Sequence, residues 1–170
     1  VTKAYRVCSI GLLLAVVTCS MIAAENATPG ILSAQELKKL VPAGYFFDGQ
    51  SAPVQLRNSA GARTKSGKLV LAGLVDTSGY SADIQQKYQG FFITETKLSI
   101  EGTNLTPGQY GFGFTKDGKF VVMNVAGTDL LNVDAKVDDK LVRPVPLKMV
   151  EDGDALKLYA GKKWVSINPE

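Results

Sequence analysis

A period of two, interrupted by glycine turns, restricts this chain more than any other feature. Successive side chains of a strand point to opposite faces, so alternation of apolar and polar residues marks a half-buried strand. Leu69, Leu71 and Val75 alternate in KLVLAGLVD. In FFITETKLSIE, Phe92, Leu98 and Ile100 share one face, and Glu95, Lys97 and Glu101 share the other. Tyr110, Phe112 and Phe114 make a third stripe, with glycines between them. The run FVVMNV from Phe120 is more continuously apolar and reads as a central strand. Asp117-Gly118 between Phe114 and Phe120 is the clearest hairpin signal. Asp152-Gly153 and Gly161 divide the last three runs, so the C-terminal half reads as an antiparallel meander. Pro144 and Pro146 remove two backbone donors at alternate positions, which suits an edge strand or its entry. The fold class expected is mainly β: an antiparallel β-sandwich or small barrel.

Two helical segments interrupt the strands. Ser33 and Glu36 form an S-x-x-E capping box, with Leu32 and Leu37 placed as a hydrophobic staple, and Val41-Pro42-Ala43-Gly44 stops the helix. A second short helix is expected over Ser81 to Tyr88, with Ser81 as N-cap and Gly90 just past its end.

The first residues read as an address. Lys3 and Arg6 precede the uncharged apolar run Val7 to Val17, and small residues follow at Ala23 and Ala24. That order is a secretory signal, and the run is too short to span a bilayer. Residues 1–24 are therefore expected to be a signal peptide, 25–30 a flexible spacer and 31–170 a single β-rich domain. Cleavage near Ala24 is favoured over the alternative at Cys19, where VVTC resembles a lipobox and would leave a lipid-anchored protein. Removing the leader takes Lys3 and Arg6 with it, so the net charge of +3 falls by two to +1. Such a balance lacks the clustered cations that nucleic-acid binding requires.

Both cysteines, Cys8 and Cys19, lie inside that leader, and the chain has 0 histidines. Ser-His-Asp and Cys-His catalysis in their ordinary forms are excluded, as are His- and Cys-based zinc sites. No catalytic residue, metal ligand or cofactor is assigned.

Four features remain as candidates. Arg57, Arg63, Lys65 and Lys68 fall in RNSAGARTKSGK, which contains no acid and reads as a flexible loop able to cradle an anionic group or polymer. It is not a P-loop, because Gly61 and Gly67 are wrongly spaced and Leu69 follows Lys68. In GQYGFGF the glycines of one face stand bare, inviting another chain or a bulky side chain. Glu151, Asp152 and Asp154, and Asp134, Asp138 and Asp139, cluster in turns, where Asp serves local backbone geometry. Finally Trp164, Tyr80, Tyr88 and Tyr45 could form an exposed platform for sugar or peptide.

From Leu105 to Ile167 the chain resembles an uncharacterised group of exported bacterial β-domains. The residues that carry the likeness are LTPGQYGFGFTKDGKFVVMNV, DAKVDDKLVRPVPL and LKLYAGKKWVSI. Transthyretin-like and carboxypeptidase-regulatory sandwiches share this "PG-Y" strand entry. The resemblance implies a sandwich and brings no catalytic residues.

The expected function is that of an exported, non-enzymatic binding or structural domain, in the periplasm or outside the cell. The candidate ligand residues are Arg57, Arg63, Lys65, Lys68, Tyr80, Tyr88 and Trp164. Its partner would be a cell-envelope polymer or another exported protein, with no transmembrane segment in the mature chain. The alternative is a carboxylate-dependent hydrolase of glycans, which needs one carboxyl of raised pKa in a cleft.

Overall fold

The alternation is realised as two antiparallel sheets. The computed structural model describes residues 28–170; the expected signal peptide, Cys19 and the start of the spacer lie outside the described residues. In chain order these form β1 (Gly30–Ile31), α1 (Ala34–Leu40), β2 (Gly44–Phe47), β3 (Gln50–Arg63), β4 (Leu69–Val75), α2 (Ala82–Lys87), β5 (Gly90–Thr94), β6 (Leu98–Ile100), β7 (Thr103–Leu105), β8 (Gly108–Phe114), β9 (Lys119–Met123), β10 (Asp129–Asp134), β11 (Lys136–Val137), β12 (Val145–Asp152), β13 (Ala155–Gly161) and β14 (Lys163–Pro169). The first sheet runs β1-β3-β4-β5-β8-β9-β10, with β2 on the first half of β3. The second runs β12-β13-β14-β6-β7, with β11 on β14. Neither closes on itself, so the fold is a β-sandwich rather than a barrel.

One core fills the space between the sheets. Val70, Phe92, Phe112 and Phe120 from the first sheet meet Leu98, Ile100, Leu158 and Ile167 from the second. The stripe Tyr110, Phe112, Phe114 belongs to it, at 7%, 0% and 6% exposure, so it is core and not a binding surface. The Asp117-Gly118 hairpin sets its register, pairing Phe112 with Val122 and Phe114 with Phe120. Pro144 and Pro146 lie at the entry of β12, which is the edge strand of its sheet.

A second core covers the outer face of the first sheet. Leu71, Val75, Phe91, Val121 and Met123 point outward, and β2, α1 and the segment around α2 lie over them. The capping box forms, with the Glu36 amide donating to Ser33 Oγ and the Ser33 amide to the Glu36 carboxylate. Leu32 and Leu37 are both buried in this core, as a staple requires. Ser81 caps α2, but Gly90 is not its C-terminal cap. It opens β5, where an added β-carbon would lie 2.0 Å from the Gly73 carbonyl oxygen.

Three expectations are revised. The spacer gives way to structure at Gly30, its last residue, because Gly30 pairs with Arg63 and Ile31 with Ala62. FFITETKLSIE is not one strand: β5 belongs to the first sheet and β6 to the second. The chain crosses between them at Glu95–Lys97, where Thr94 Oγ1 donates to the Thr96 carbonyl at 2.6 Å and the Glu95 carboxylate accepts from the Leu69 amide at 2.8 Å. Phe92, Leu98 and Ile100 still share a core, since the two sheets face it from opposite sides. The stretch RNSAGAR is strand, not flexible loop. Ala60 and Ala62 alternate into the core, and at Gly61 a β-carbon would come within 2.7 Å of Leu71 and 3.0 Å of Leu32.

The "PG-Y" entry has a local cause. The Tyr110 hydroxyl reaches back to donate to the Thr106 carbonyl at 2.9 Å. A β-carbon on Gly108 would sit 2.9 Å from that hydroxyl, so any larger residue would have to push the returning side chain aside.

Candidate functional site

The cations of the expected basic loop do not converge. Arg57 and Arg63 lie on one strand, about 20 Å apart at the rise of an extended chain. Arg63 is half-buried and donates to the Gly67 carbonyl at 3.3 Å, while its Nε is buried without a partner. Lys65 sits in the turn after β3 and pairs with Asp154 at 2.6 Å. The two side chains are 82% and 89% exposed, so that pair contributes little. Lys68 leads into β4 and uses its backbone, not its ammonium, to close the turn with Thr64.

The aromatic platform is not formed. Tyr45, Tyr80 and Tyr88 are 5%, 6% and 0% exposed and belong to the outer core. Phe47 stacks on Tyr88 at 3.9 Å, which explains their burial: the ring bodies fill the space between β2, α2 and the first sheet. Trp164 stands apart from them, on the outer face of the second sheet. It stacks on Tyr159 at 6.0 Å, with the Lys136 and Lys157 ammonium groups 4.8 and 4.6 Å from its ring. Those lysines are matched by Glu101 and Asp152, so the patch is balanced in charge.

The turn carboxylates are engaged locally. Asp154 pairs with Lys65, Asp152 with Lys157 and Asp134 with Lys119, and Asp138 accepts from the Tyr159 hydroxyl at 3.3 Å. The hydrogen bond from Lys65 holds the Asp154 carboxyl below its ordinary pKa. Glu36, Asp76 and Asp117 are lowered as well, by hydrogen bonds from Ser33, Ser78 and Thr115 respectively. Each of these shifts runs opposite to that of a general acid. No group of three or more Asp, Glu, Cys or His converges among the described residues.

Of several concave features among the described residues, the most apolar lies at one open end of the sandwich. It is a groove of about 770 Å³ between the sheets, a size typical of small-molecule sites. Leu74 and Val75 of β4 and Phe114 of β8 line it from the first sheet. Val145 and Pro146 at the entry of β12, with Ala160 of β13, line it from the second. Leu74 and Ala160 also pack on the inter-sheet core, so the groove is that core's exposed margin. Val137 lines it too and is left 56% exposed.

The polar rim is fixed by the backbone. Gln89 donates to the Phe114 carbonyl at 3.2 Å and accepts from its amide at 3.0 Å. Gln55 donates to the Val75 carbonyl at 3.2 Å and accepts from Asn58 at 2.7 Å. Each amide thus has one N–H and its oxygen engaged, which holds the strand ends in place. Lys163 donates to the Thr115 carbonyl. Lys162 differs: it is exposed at the tip of the β13–β14 hairpin and takes part in none of the ion pairs among the described residues. No carboxylate lines the groove.

None of the seven candidate ligand residues lines this groove, although Val75 and Phe114, read from the sequence as strand-face residues, do. The Pro144 and Pro146 pair, read as an edge, lines it too. Compared with family models, curated proteins and solved structures, the chain matches none.

Proposed function

We propose that this chain is an exported, non-catalytic binding domain and that the end groove holds its ligand. One observation carries the reading: a pocket-sized apolar groove between two sheets, with a rim whose amides are already bonded to backbone. Preformed apolar clefts with a few fixed polar groups are where small molecules bind. The glycan-hydrolase alternative finds less support. It requires two carboxylates flanking a cleft, and no carboxylate lines this one. Among the described residues no helix is long and apolar enough to cross a membrane.

The test uses Nile red, a neutral dye whose emission shifts to the blue in apolar surroundings. The parent should give a saturable blue shift. Ala160→Trp, which fills the groove, and Val137→Glu, which charges its exposed wall, should both abolish it. Val137 is a surface residue, so that variant should melt like the parent. A shift unchanged in both variants places the apolar site elsewhere.

The export reading rests on the charged, apolar and small-residue order of residues 1–24. Intact mass of protein recovered from the periplasm or medium of a bacterial host should show an unlipidated N-terminus near Ala24. A diacylglyceryl group on Cys19 would make it a lipoprotein, and a full-length cytosolic product would end the export reading.

A further inference from the structure

We infer that the groove takes a single-chain amphiphile with an anionic head, the tail lying along the apolar lining and the head meeting Lys162. The inference rests on the proposal that the groove is the ligand site. Its grounds are the distribution of charge and of uncovered apolar surface at this end of the molecule.

Both charged side chains of the lining, Lys162 and Lys163, are cations. Lys163 is committed to the Thr115 carbonyl. Lys162 has no such engagement, so an ammonium stands unneutralised at the mouth of an apolar slot. Asp138 lies beside it, its amide donating to the Lys162 carbonyl at 2.9 Å, but its carboxylate is turned to the Lys140 amide and the Tyr159 hydroxyl, and neither Asp138 nor Asp139 lines the groove. The opposite end of the sandwich provides the contrast. Its smaller pocket, about 430 Å³, is lined by Arg63 and Lys65 together with Glu151, Asp154 and Glu170, so it has no single sign.

The lining itself explains the tail. Leu74, Phe114 and Ala160 offer no donor or acceptor from their side chains, and the nearby glutamine amides already bond to strand ends. A sugar or a peptide backbone would find few partners along that wall beyond Thr77 and the glutamines, so its polar groups would gain little there. A hydrocarbon chain needs no such partners. Val137, at 56% exposure, leaves apolar surface in water at the groove, and Val142, two residues before Pro144 of the lining, is 91% exposed. A tail emerging past the rim would cover that surface.

The experiment compares decanoate, decyltrimethylammonium and acetate by amide chemical-shift mapping, all below micellar concentration. Decanoate should perturb Val75, Phe114 and Ala160 and bind about threefold more tightly than the cationic detergent. Lys162→Glu should reverse that order, and Lys162→Gln should lie between. Equal affinities for the two detergents overturn the inference and leave the groove as a site. Acetate binding as well as decanoate overturns the tail. Shifts absent from all three positions with both detergents overturn the groove itself. Vesicles test the rival reading of Lys162. Decanoate binding without sedimentation upholds a free single-chain ligand. Sedimentation with phosphatidylglycerol but not phosphatidylcholine, lost in Lys162→Glu and unaccompanied by decanoate shifts, would assign Lys162 to a bilayer surface and overturn the inference.

Discussion

The two faces of the first sheet bury their residues by different means. Toward the second sheet, β4, β5, β8 and β9 present Val70, Ala72, Phe92, Phe112, Phe120 and Val122, and the opposing sheet answers with aliphatic side chains. Toward the outside, the same strands present Leu71, Phe91, Val121 and Met123, with glycines between. There the cover is not a sheet. It is β2, two short helices and three tyrosines. Phe91 is paired across the strands with Gly73 on one side and Gly111 on the other, and Phe47 lies over Gly111. The inner core is a surface packed on a surface. The outer core is a set of rings packed into gaps left by missing side chains.

The inner core should be the more sensitive to loss of volume. Phe112 is fully buried and touches rings on both neighbouring strands, with centroids 6.4 Å from Phe92 and 5.9 Å from Phe120. Phe112→Ala should cost about 3–5 kcal/mol, the range for aromatic truncation in a core. Since a whole domain is stable by only about 5–15 kcal/mol, a denaturant series should find the variant marginal. A midpoint within a degree or two of the parent in a thermal melt would mean the sandwich is not packed through this ring.

The outer core should respond the other way, to added volume. A β-carbon at Gly111 would lie 2.4, 2.8 and 3.0 Å from three atoms of the Phe47 ring. That ring is 0% exposed and held against Tyr88, so it has little room to move. Gly111→Val should therefore cost about 1–3 kcal/mol by overpacking. Adding Phe47→Leu should recover part of the loss, because the smaller side chain vacates the contested space. If the pair is no better than the single variant, Phe47 is not the obstacle, and the glycine serves the strand and not its cover.

The contrast also explains what could be read from the sequence. Tyr110, Phe112 and Phe114 announce themselves because alternation is a local pattern and its faces need no partner to be recognised. Ser33 and Glu36 are equally local, three residues apart. The stretch Asn58 to Arg63 was illegible because its inward side chains are alanines, which carry almost no alternation signal. Tyr45, Tyr80 and Tyr88 misled for another reason. A tyrosine has an apolar body and a polar tip, and only the fold decides which it shows. The groove was least visible of all. Val75, Phe114, Ala160 and Lys162 are brought together by sheet packing over long sequence separations, and each alone is an ordinary strand or turn residue.

The smallest expected effect is also the one that most sharpens the difference between the cores. The Tyr88 side chain is 0% exposed, yet its hydroxyl makes no well-formed hydrogen bond; the Tyr80 hydroxyl is close enough to interact with it but is turned to the Gln50 carbonyl at 3.3 Å. A buried hydroxyl without a partner costs the fold the water it gave up. Tyr88→Phe keeps the ring and its stack on Phe47 while removing that cost, so stability at neutral pH should hold or rise by up to about 1 kcal/mol. The alkaline limb should move further. Burial, reinforced by Tyr80, pushes the Tyr88 phenol far above its ordinary value, and burial pushes Tyr45 up to about 12. A folded pKa raised in this way gives a contribution that is complete below the unfolded value, about 10. It is lost as pH climbs from there toward the folded value, because only the unfolded chain can release the proton cheaply. Phenylalanine has no proton to release, so Tyr88→Phe should unfold at a higher pH than the parent. A loss of more than about 1 kcal/mol at pH 7 would show that the hydroxyl is satisfied after all, for example by an enclosed water, and that the outer core is polar by construction.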